Sequence, residues 1–387
     1  MDPTGSFAPV AAMAALSADL CVVQSRNSVT PSNSHAPEIT RSAVLAVLGR
    51  AWGKTGRCDR FRGANPVSIA RKDLSVVTND ILVSLKSDGV RYMLVLTMVD
   101  GEPVAVMVDR RMRMYEVEIW ANNTYYMDTV IDGELVFEHG YTVPKLVFLM
   151  FDCLMMEGAT CNGVRYCDRL MKLHAIVFTP IEGETLESIE QRTLDENKLV
   201  CMNTQVPLRL EPKRFVPRDQ VCALWDTRHA SCHKNDGLII ALNTDRVGTG
   251  SCRDVFKWKP DNTIDVRICL PADTTDASTV QVYVALNGKT LEITKSLEYN
   301  GRKLRVAMES NDLITRTAEA SRRSNSALDA IFECRCTLKD EWICFFPMKH
   351  RPDKPSANDL FTVQATITNV IENITIEEIM SYTNARR

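Results

Sequence analysis

Residues 81–108 read ILVSLKSDGVRYMLVLTMVDGEPVAVMV, and this stretch decides the fold. It contains three short runs rich in apolar residues, at 81–85, 92–99 and 104–108. The dipeptides Asp88-Gly89 and Asp100-Gly101 separate the runs, and such dipeptides are typical of hairpin turns. The stretch therefore predicts neighbouring antiparallel strands.

Similar patterns extend through the first two thirds of the chain. Further strands are predicted at 127–137, 145–154, 238–241 and 255–258. The spacing of apolar residues predicts helices at 38–51, 168–176 and 185–192. This mixture indicates an α+β fold, in which residues 38–262 form a domain of antiparallel sheets with flanking helices.

A second alternating region begins after Pro260. Strands are predicted at 266–270, 280–286, 289–293 and 302–308. The length fits a five-stranded β-barrel of the OB-fold type, to which we assign residues 263–365. Residues 366–387 are expected to form a closing strand or helix, with a helix at 375–384. Residues 1–37, rich in Ala, Ser, Pro and Asn, are predicted to be a mobile N-terminal segment.

The composition excludes several classes of protein. The chain has 387 residues, which is enough for two domains. Its formal net charge is −3, so any contact with RNA or phosphate depends on local clusters. The 13 cysteines include no Cys-x-x-Cys pair, which favours free thiols in a reducing, intracellular compartment. No apolar run reaches the ~18 residues that a membrane span needs, so no membrane span is expected.

The sharpest motif is Lys-Ser-Asp-Gly-Val-Arg at 86–91, where a lysine ends a buried strand and an arginine begins the next. A lysine amine is nucleophilic only when it is neutral. Neighbouring cations and partial desolvation favour that form, so Lys86 is a candidate nucleophile. Taken alone, the motif fits an ordinary hairpin with flanking surface charges equally well.

Two more lysines suggest where an anion would bind. Lys257 and Lys259 occupy alternate positions of a predicted strand, so their side chains point to the same face. A triphosphate would relieve the repulsion between them, and Arg91 can reach the same pocket. In isolation, a solvated strand edge explains the two lysines as well.

Two acidic motifs offer metal ligands. Asp132-Gly133-Glu134 is predicted beside a turn between strands, and Asp236 just before a buried strand. Magnesium binds through one or two carboxylates plus substrate phosphates, and it would ease the departure of pyrophosphate. As isolated dipeptides, both Asp-Gly pairs fit plain turns.

Phe148 and Phe151 offer rings that could stack on a base, although core packing explains either ring alone.

Taken together and in this order, these motifs resemble the covalent nucleotidyltransferase superfamily of mRNA-capping guanylyltransferases and ATP-dependent polynucleotide ligases. Five of its motifs occur between Lys86 and Lys259: KxDG, DGE, an aromatic-Asp strand, an acidic-Gly strand and KxK. The resemblance implies that Lys86 accepts the nucleotidyl group. It also implies that Arg91 and Glu134 hold the ribose.

The same resemblance gives roles to the other matched positions. Asp236 would serve the metal, and Lys257 and Lys259 would hold the α-phosphate. Phe151 is expected among the nucleotide-binding residues. Arg110 is expected to contact phosphate, because Asp109-Arg110 is similar to a capping strand motif.

A sixth motif favours capping over ligation. Arg351, Asp353, Lys354 and Asn358 fit the closing motif RxDKxxxN of the capping family. The motif would place Arg351, Asp353 and Lys354 on the β- and γ-phosphates and orient the leaving pyrophosphate. The expected function is mRNA guanylyltransferase, in which GMP passes from GTP through a lysyl–GMP intermediate on Lys86 to a 5′-diphosphate RNA end.

The resemblance also implies Mg²⁺ or Mn²⁺ as cofactor, and an RNA 5′-triphosphatase and the RNA polymerase machinery as partners. The expected location is the nucleus, or the cytoplasm if the protein is viral.

An ATP-dependent DNA or RNA ligase stays an alternative, because it shares the lysine chemistry. A non-catalytic RNA-binding or scaffold protein is a third hypothesis, against which the intact Lys86, Asp236, Lys257 and Lys259 argue.

Overall fold

The computed structural model describes residues 37–78, 80–138, 145–178, 180, 183–202, 208–270, 280–309, 312–323, 326–352 and 354–384. The predicted mobile segment at 1–37 lies outside these residues, except for residue 37. The chain divides into two compact units. The N-terminal unit contains Val77–Lys257 and the chain up to Val67, and the C-terminal unit contains Ser68–Val76 and Trp258–Arg386.

The N-terminal unit combines helices with many short strands. Its α-helices are α1 (Pro37–Ala51), α2 (Tyr166–Ala175), α3 (Leu186–Asp195) and α4 (Val221–Asp226). Its strands are β1 (Asn65–Ser68), β2 (Ile81–Ser87), β3 (Val90–Val99), β4 (Glu102–Asp109), β5 (Met114–Glu116), β6 (Ile119–Ala121), β7 (Thr129–Glu138), β8 (Lys145–Met156), β9 (Ala159–Thr160), β10 (Leu199–Cys201), β11 (Leu208–Pro212), β12 (Val216–Pro217), β13 (Asn235–Leu242) and β14 (Ser251–Trp258). The strands and helices predicted for this region are confirmed to within four residues at either end.

Two larger sheets dominate the N-terminal unit. One has the order β1-β14-β13-β2-β12, and the other has the order β11-β8-β7-β3-β4-β5, with β9 pairing to β8. A third, two-stranded sheet pairs β10 with β6. The predicted α+β class is confirmed. The expectation of purely antiparallel sheets needs one correction here, because β11 runs parallel to β8.

The two Asp-Gly dipeptides behave differently. Asp100-Gly101 joins β3 to β4 as a two-residue hairpin, with φ values of 49° and 87° that suit a primed turn. The hairpin predicted at Asp88-Gly89 is wrong, because β2 and β3 belong to different sheets. The dipeptide instead carries the chain from one sheet to the other. A Cβ on Gly89 would lie 2.4 Å from the Leu135 carbonyl oxygen, so the crossing passes too close to β7 for any larger residue.

The central strand β3 is buried on both faces. Leu94 and Leu96 pack in a cluster that includes residues of α2, whereas Met93 and Val95 pack in a cluster that includes residues of α1. A strand covered on both sides is selected for apolar residues at every position. This explains why β3 reads as a continuous apolar run rather than an alternating one.

The turn predicted at Asp132-Gly133-Glu134 is also wrong. These residues lie in the interior of β7, paired to both β3 and β8. Gly133 is required there by packing, because a Cβ would lie 2.4 Å from the Phe148 ring and 2.9 Å from the Leu149 carbonyl oxygen. A glycine in a strand interior marks such a close approach as readily as it marks a turn.

The C-terminal unit contains one seven-stranded curled sheet in its described residues. Its strands are β15 (Thr263–Leu270), β16 (Gln281–Leu286), β17 (Lys289–Glu292), β18 (Ser296–Tyr299), β19 (Arg302–Met308), β20 (Leu328–Lys339) and β21 (Trp342–His350), and its helices are α5 (Asp312–Arg323), α6 (Leu360–Glu372) and α7 (Ile376–Asn384). The strand order is β17-β16-β15-β20-β21-β19-β18. The sheet is compatible with the predicted OB-fold, with seven strands where five were expected.

Several features of this unit were not predicted. Strands β18, β20 and β21 and helices α5 and α6 had no counterpart in the predicted elements, and β19 runs parallel to β21. Helix α6 continues across residue 365. The short segment Ser68–Val76 belongs to this unit although it precedes Lys86 in sequence. The Arg71 backbone amide donates to Glu372 Oε2 at 2.6 Å, and its guanidinium pairs with Glu378.

We expect Gly133→Ala to lower the free energy of unfolding by about 1–3 kcal/mol, because the new methyl overpacks a buried contact with Phe148. Thermal unfolding followed by circular dichroism measures the effect. In a Phe148→Leu background, where the ring is absent, Gly133→Ala is expected to cost less stability than it does in the wild-type protein. An unchanged melting temperature in Gly133→Ala would contradict the packing described for β7.

Candidate active site

A cavity of about 1030 Å³, partly open to solvent, lies between the two larger sheets of the N-terminal unit. Lys86 and Ile239 line it from one sheet, and Arg91, Glu134 and Phe151 line it from the other. The crossing at Asp88-Gly89 is therefore what brings the motif residues to opposite walls of one pocket.

Lys86 pairs with Asp236 across neighbouring strands of the first sheet. Lys86 Nζ lies 2.7 Å from Asp236 Oδ1, and the two side chains are 20% and 36% exposed. Strand β13 has an irregular register against β2 between Asn235 and Leu238, and Gly237 adopts a φ of 151°. This irregularity interrupts the ladder next to the lysine. Two residues 150 positions apart in the chain thus lie in contact.

A buried ion pair forms the opposite wall. Arg91 Nε and Nη2 donate to Asp132 Oδ1 and Oδ2 at 2.8 and 2.5 Å, and Arg91 Nη1 donates to the Ala64 carbonyl at 2.5 Å. The rings of Phe61 and Phe151 lie 5.2 and 5.3 Å from the guanidinium carbon. Burial lowers the pKa of Arg91, but Asp132 outweighs burial and the net pKa is raised. Arg91 is therefore held rigidly as a cation.

The sequence did not predict Lys213, which is the most buried lysine of the cavity wall. Its side chain is 7% exposed, and Nζ lies 3.6 Å from Glu134 Oε2 and 5.9 Å from the centre of the Phe151 ring. Burial lowers the pKa of Lys213, and the charge of Lys86 lowers it further, whereas Glu134 opposes the shift. Nothing in the surrounding Pro-Lys-Arg sequence distinguishes this lysine from a surface one.

A second buried pair, also missed, joins Asp152 and Arg169. Arg169 Nε donates to Asp152 Oδ1 at 2.7 Å, and Arg169 is 3% exposed. Burial raises the pKa of Asp152, although Arg169 acts to lower it. One signal was available in the sequence: Arg169 shares the buried face of α2 with Tyr166, Leu170 and Leu173, and a charge on an apolar face requires a partner.

Two further groups make the cavity suitable for an anionic ligand. The Ser87 hydroxyl is buried at the wall and has no hydrogen-bond partner within the described structure. Arg110 also lines the cavity, and burial together with the charge of Arg91 lowers the pKa of Arg110. Buried polar groups without partners are rare in native proteins, so such a hydroxyl indicates an expected ligand or solvent contact.

The structure brings part of the predicted set together. Lys86, Arg91, Arg110, Glu134 and Phe151 line the cavity, and Asp236 contacts Lys86. Phe148 is instead fully buried in the core beneath Gly133.

The remaining predicted residues lie elsewhere. Lys257 is in β14 and Lys259 follows that strand, and neither belongs to the cavity lining. Arg351 and Lys354 are in the C-terminal unit, where Arg351 Nη1 lies 3.4 Å from Asp265 Oδ1 and Lys354 Nζ lies 3.5 Å from Asp265 Oδ2. Asp353 lies outside the described residues.

Comparison with known proteins gives the family. Residues 29–261 match the family described as mRNA capping enzyme, catalytic domain, and residues 261–380 match mRNA capping enzyme, C-terminal domain. The chain belongs to the mRNA capping enzyme family. The prediction of an mRNA guanylyltransferase, and of a nucleotidyltransferase as its class, is confirmed at the level of this family.

Individual relatives of this capping enzyme family member are distant in sequence. The mRNA-capping enzyme subunit alpha of Schizosaccharomyces pombe is 25% identical, over 83% of this chain and 79% of its own length. That of Neurospora crassa is 25% identical, over 89% and 88%. The mRNA-capping enzyme of Danio rerio is 26% identical over 60% of this chain and 38% of its own length.

Among solved structures, a mycobacterial DNA ligase D complexed with ATP and MES covers 76% of this chain and 94% of its own, with 17% identity and a TM-score of 0.37. A TM-score this low supports no conclusion about fold or function.

Within the described residues of the capping enzyme, no helix is both long and apolar enough to cross a membrane.

We expect Asp132→Asn to lower the free energy of unfolding by about 3–5 kcal/mol, because it leaves the buried charge of Arg91 without its anion. Denaturation in urea measures the change. Asp80→Asn is the matched control, since Asp80 pairs with Arg165 on the surface, with side chains 60% and 54% exposed. Its expected cost is about 0–1 kcal/mol. Equal losses in the two variants would contradict the buried character of the Arg91–Asp132 pair.

Proposed function

We propose that this capping enzyme transfers GMP from GTP to the 5′-diphosphate end of RNA, through a covalent lysyl–GMP intermediate on Lys86. The observation that carries the proposal is the position of Lys86 Nζ at the cavity wall, 2.7 Å from Asp236. The side chain is only 20% exposed, and the charge of the buried Lys213 acts on it across the cavity.

The first step forms a bond between Lys86 Nζ and the α-phosphorus of GTP. The bond from that phosphorus to the bridging oxygen breaks, and pyrophosphate leaves. Lys86 must lose a proton to solvent before it attacks, and the Asp236 carboxylate at 2.7 Å accepts a hydrogen bond that orients the amine. In the second step a β-phosphate oxygen of the RNA attacks the same phosphorus, and the N–P bond breaks as Lys86 recovers its proton.

A divalent cation fits this site as a companion of the nucleotide. In the described part of the chain, no three His, Cys, Asp or Glu side chains are grouped to hold a metal ion. Mg²⁺ and Mn²⁺ can bind through one carboxylate and substrate phosphates, and Asp236 would supply the carboxylate. When bound, the ion would neutralise charge on the phosphates of the nucleotide.

The cavity walls suggest how the nucleoside is held. Phe151 is half-buried at the wall, so its ring can stack on the base, and Glu134 can accept a hydrogen bond from the ribose. Arg91 would act at the ribose from a fixed position, since Asp132 and the Ala64 carbonyl hold its guanidinium. Arg110, Lys257 and Lys259 are assigned to the phosphates.

The C-terminal unit is assigned the outer phosphates. Arg351, Asp353 and Lys354 would contact the β- and γ-phosphates, as their motif implies. The substrate end of the RNA must carry a diphosphate, so an RNA 5′-triphosphatase has to act before this enzyme. We place this activity beside the RNA polymerase machinery, in the nucleus.

Incubation with GTP labelled at the α-phosphate, followed by a denaturing gel, tests the proposal. The wild-type protein is expected to carry label that survives alkali and is lost in acid, as a phosphoramidate is. Lys86→Ala and Lys86→Arg are expected to carry none, because neither offers the amine. The matched control Lys172→Ala removes an exposed lysine of α2 and should label normally.

Two outcomes would contradict the assignment. Full labelling of Lys86→Ala would remove Lys86 from the chemistry. Labelling by ATP but not by GTP, together with sealing of a nicked duplex, would move the protein to the ligases, the alternative that shares this lysine.

A further inference from the structure

The outward face of the C-terminal sheet carries aromatic rings and cations in one patch, which we name the aromatic–cationic face. It consists of Arg305, Arg335, Lys339, Trp342 and Phe346. In β21 the side chains alternate: Ile343 and Phe345 are buried in the core of the unit, whereas Trp342 and Phe346 point to the other side. Trp342 is 40% exposed, an unusual position for a large apolar ring.

Strand register places a cation beside each ring. Arg305 of β19 and Lys339 of β20 both pair in register with Trp342, and Arg335 of β20 pairs with Phe346. The guanidinium carbon of Arg305 lies 5.3 Å from the centre of the Trp342 ring, and that of Arg335 lies 5.2 Å from the centre of Phe346. The two rings are four residues apart on one strand, or about 13 Å, so they can contact two different groups of one ligand.

The cations of this face differ from the other basic residues of the same sheet. Arg267 pairs with Asp329, and Arg351 pairs with Asp265 and Glu333. Arg305, Arg335 and Lys339 form no ion pair with any carboxylate of the described residues. Acidic side chains do occur at one edge, where Asp340 and Glu341 form the turn between β20 and β21. Glu309 lies near Cys344, which is between Trp342 and Phe346 in β21. Of the five residues that define the face, three carry a positive charge and none carries a negative one.

We propose that the aromatic–cationic face binds single-stranded RNA downstream of its 5′ end, with bases stacked on Trp342 and Phe346 and phosphates on Arg305, Arg335 and Lys339. Single-stranded nucleic acids are bound by this combination of exposed rings and cations, because every base has a face that can stack. A duplex hides its base faces, and an acidic peptide has no use for the rings. The role of the RNA as substrate rests on the proposed function, whereas its binding here does not involve Lys86.

Binding of a fluorescent single-stranded RNA of mixed sequence to the full chain, followed by anisotropy, tests the proposal. Trp342→Ala is expected to weaken binding about 5- to 150-fold, the loss of one stacked base, and Trp342→Phe should restore most of it. Phe361→Ala is the matched control, since Phe361 is 71% exposed in the same unit but lies on α6. It is expected to bind RNA as the wild type does.

Salt dependence separates the cations from the rings. The slope of log affinity against log salt should fall by about 0.7 for each of Arg305→Ala, Arg335→Ala and Lys339→Ala, because each loses one phosphate contact. Trp342→Ala should leave the slope unchanged. An equally long single-stranded DNA serves as competitor, and weaker competition than by unlabelled RNA would show a contribution from the 2′-hydroxyl groups.

The proposal is overturned if Trp342→Ala binds RNA as tightly as Phe361→Ala, or if duplex RNA or an acidic peptide displaces the single strand at equal affinity. Labelling at Lys86 by GTP, measured in the same variants, keeps the two proposals apart. Weakened RNA binding with normal labelling supports the face alone. Lost labelling in the wild type would refute the proposed function and leave the binding result standing.

Discussion

The cavity depends on one buried ion pair, that between Arg91 and Asp132. Both groups lie within the second sheet, on neighbouring strands β3 and β7, and water is excluded from them. An uncompensated charge in that position would cost several kcal/mol, so the two residues fix each other. Because Arg91 follows Lys86 by five residues, the pair also fixes where the chain crosses from the first sheet to the second.

The other charges of the cavity are arranged in the same way. Arg169 is held by Asp152, and Lys213 lies beside Glu134, so the cavity restrains its buried cations by pairing them with carboxylates. In a weakly polar environment such fixed charges act strongly on a ligand, and they need little reorganisation when charge develops during a reaction. Lys86 and Asp236 are more exposed than Arg91 and Asp132. A substrate that separates Lys86 from Asp236 therefore leaves less buried charge unpaired than one that separates Arg91 from Asp132.

The sequence predicted the strands of the N-terminal unit well, because apolar runs are local signals. It did not predict the contact between Lys86 and Asp236, since no local pattern links residues 150 positions apart. The errors at Asp88-Gly89 and Gly133 share a cause. A glycine selected for close packing against Leu135 or Phe148 looks the same in sequence as a glycine selected for a turn. Lys213 could not be predicted, because its burial is produced by strands distant in the chain.

The basic residues of the C-terminal unit fall into two energetic groups. Arg351 and Lys354 already contact Asp265, so a phosphate that recruits them must compete with an existing carboxylate. Arg305 and Arg335 lie over aromatic rings and form no ion pair with the carboxylates that the structure describes, and a cation held over a ring keeps its outer donors available. A polyanion can therefore add to the second group without displacing anything. The first group suits a ligand that is bound and released within each reaction, whereas the second suits one that stays bound while the reaction proceeds.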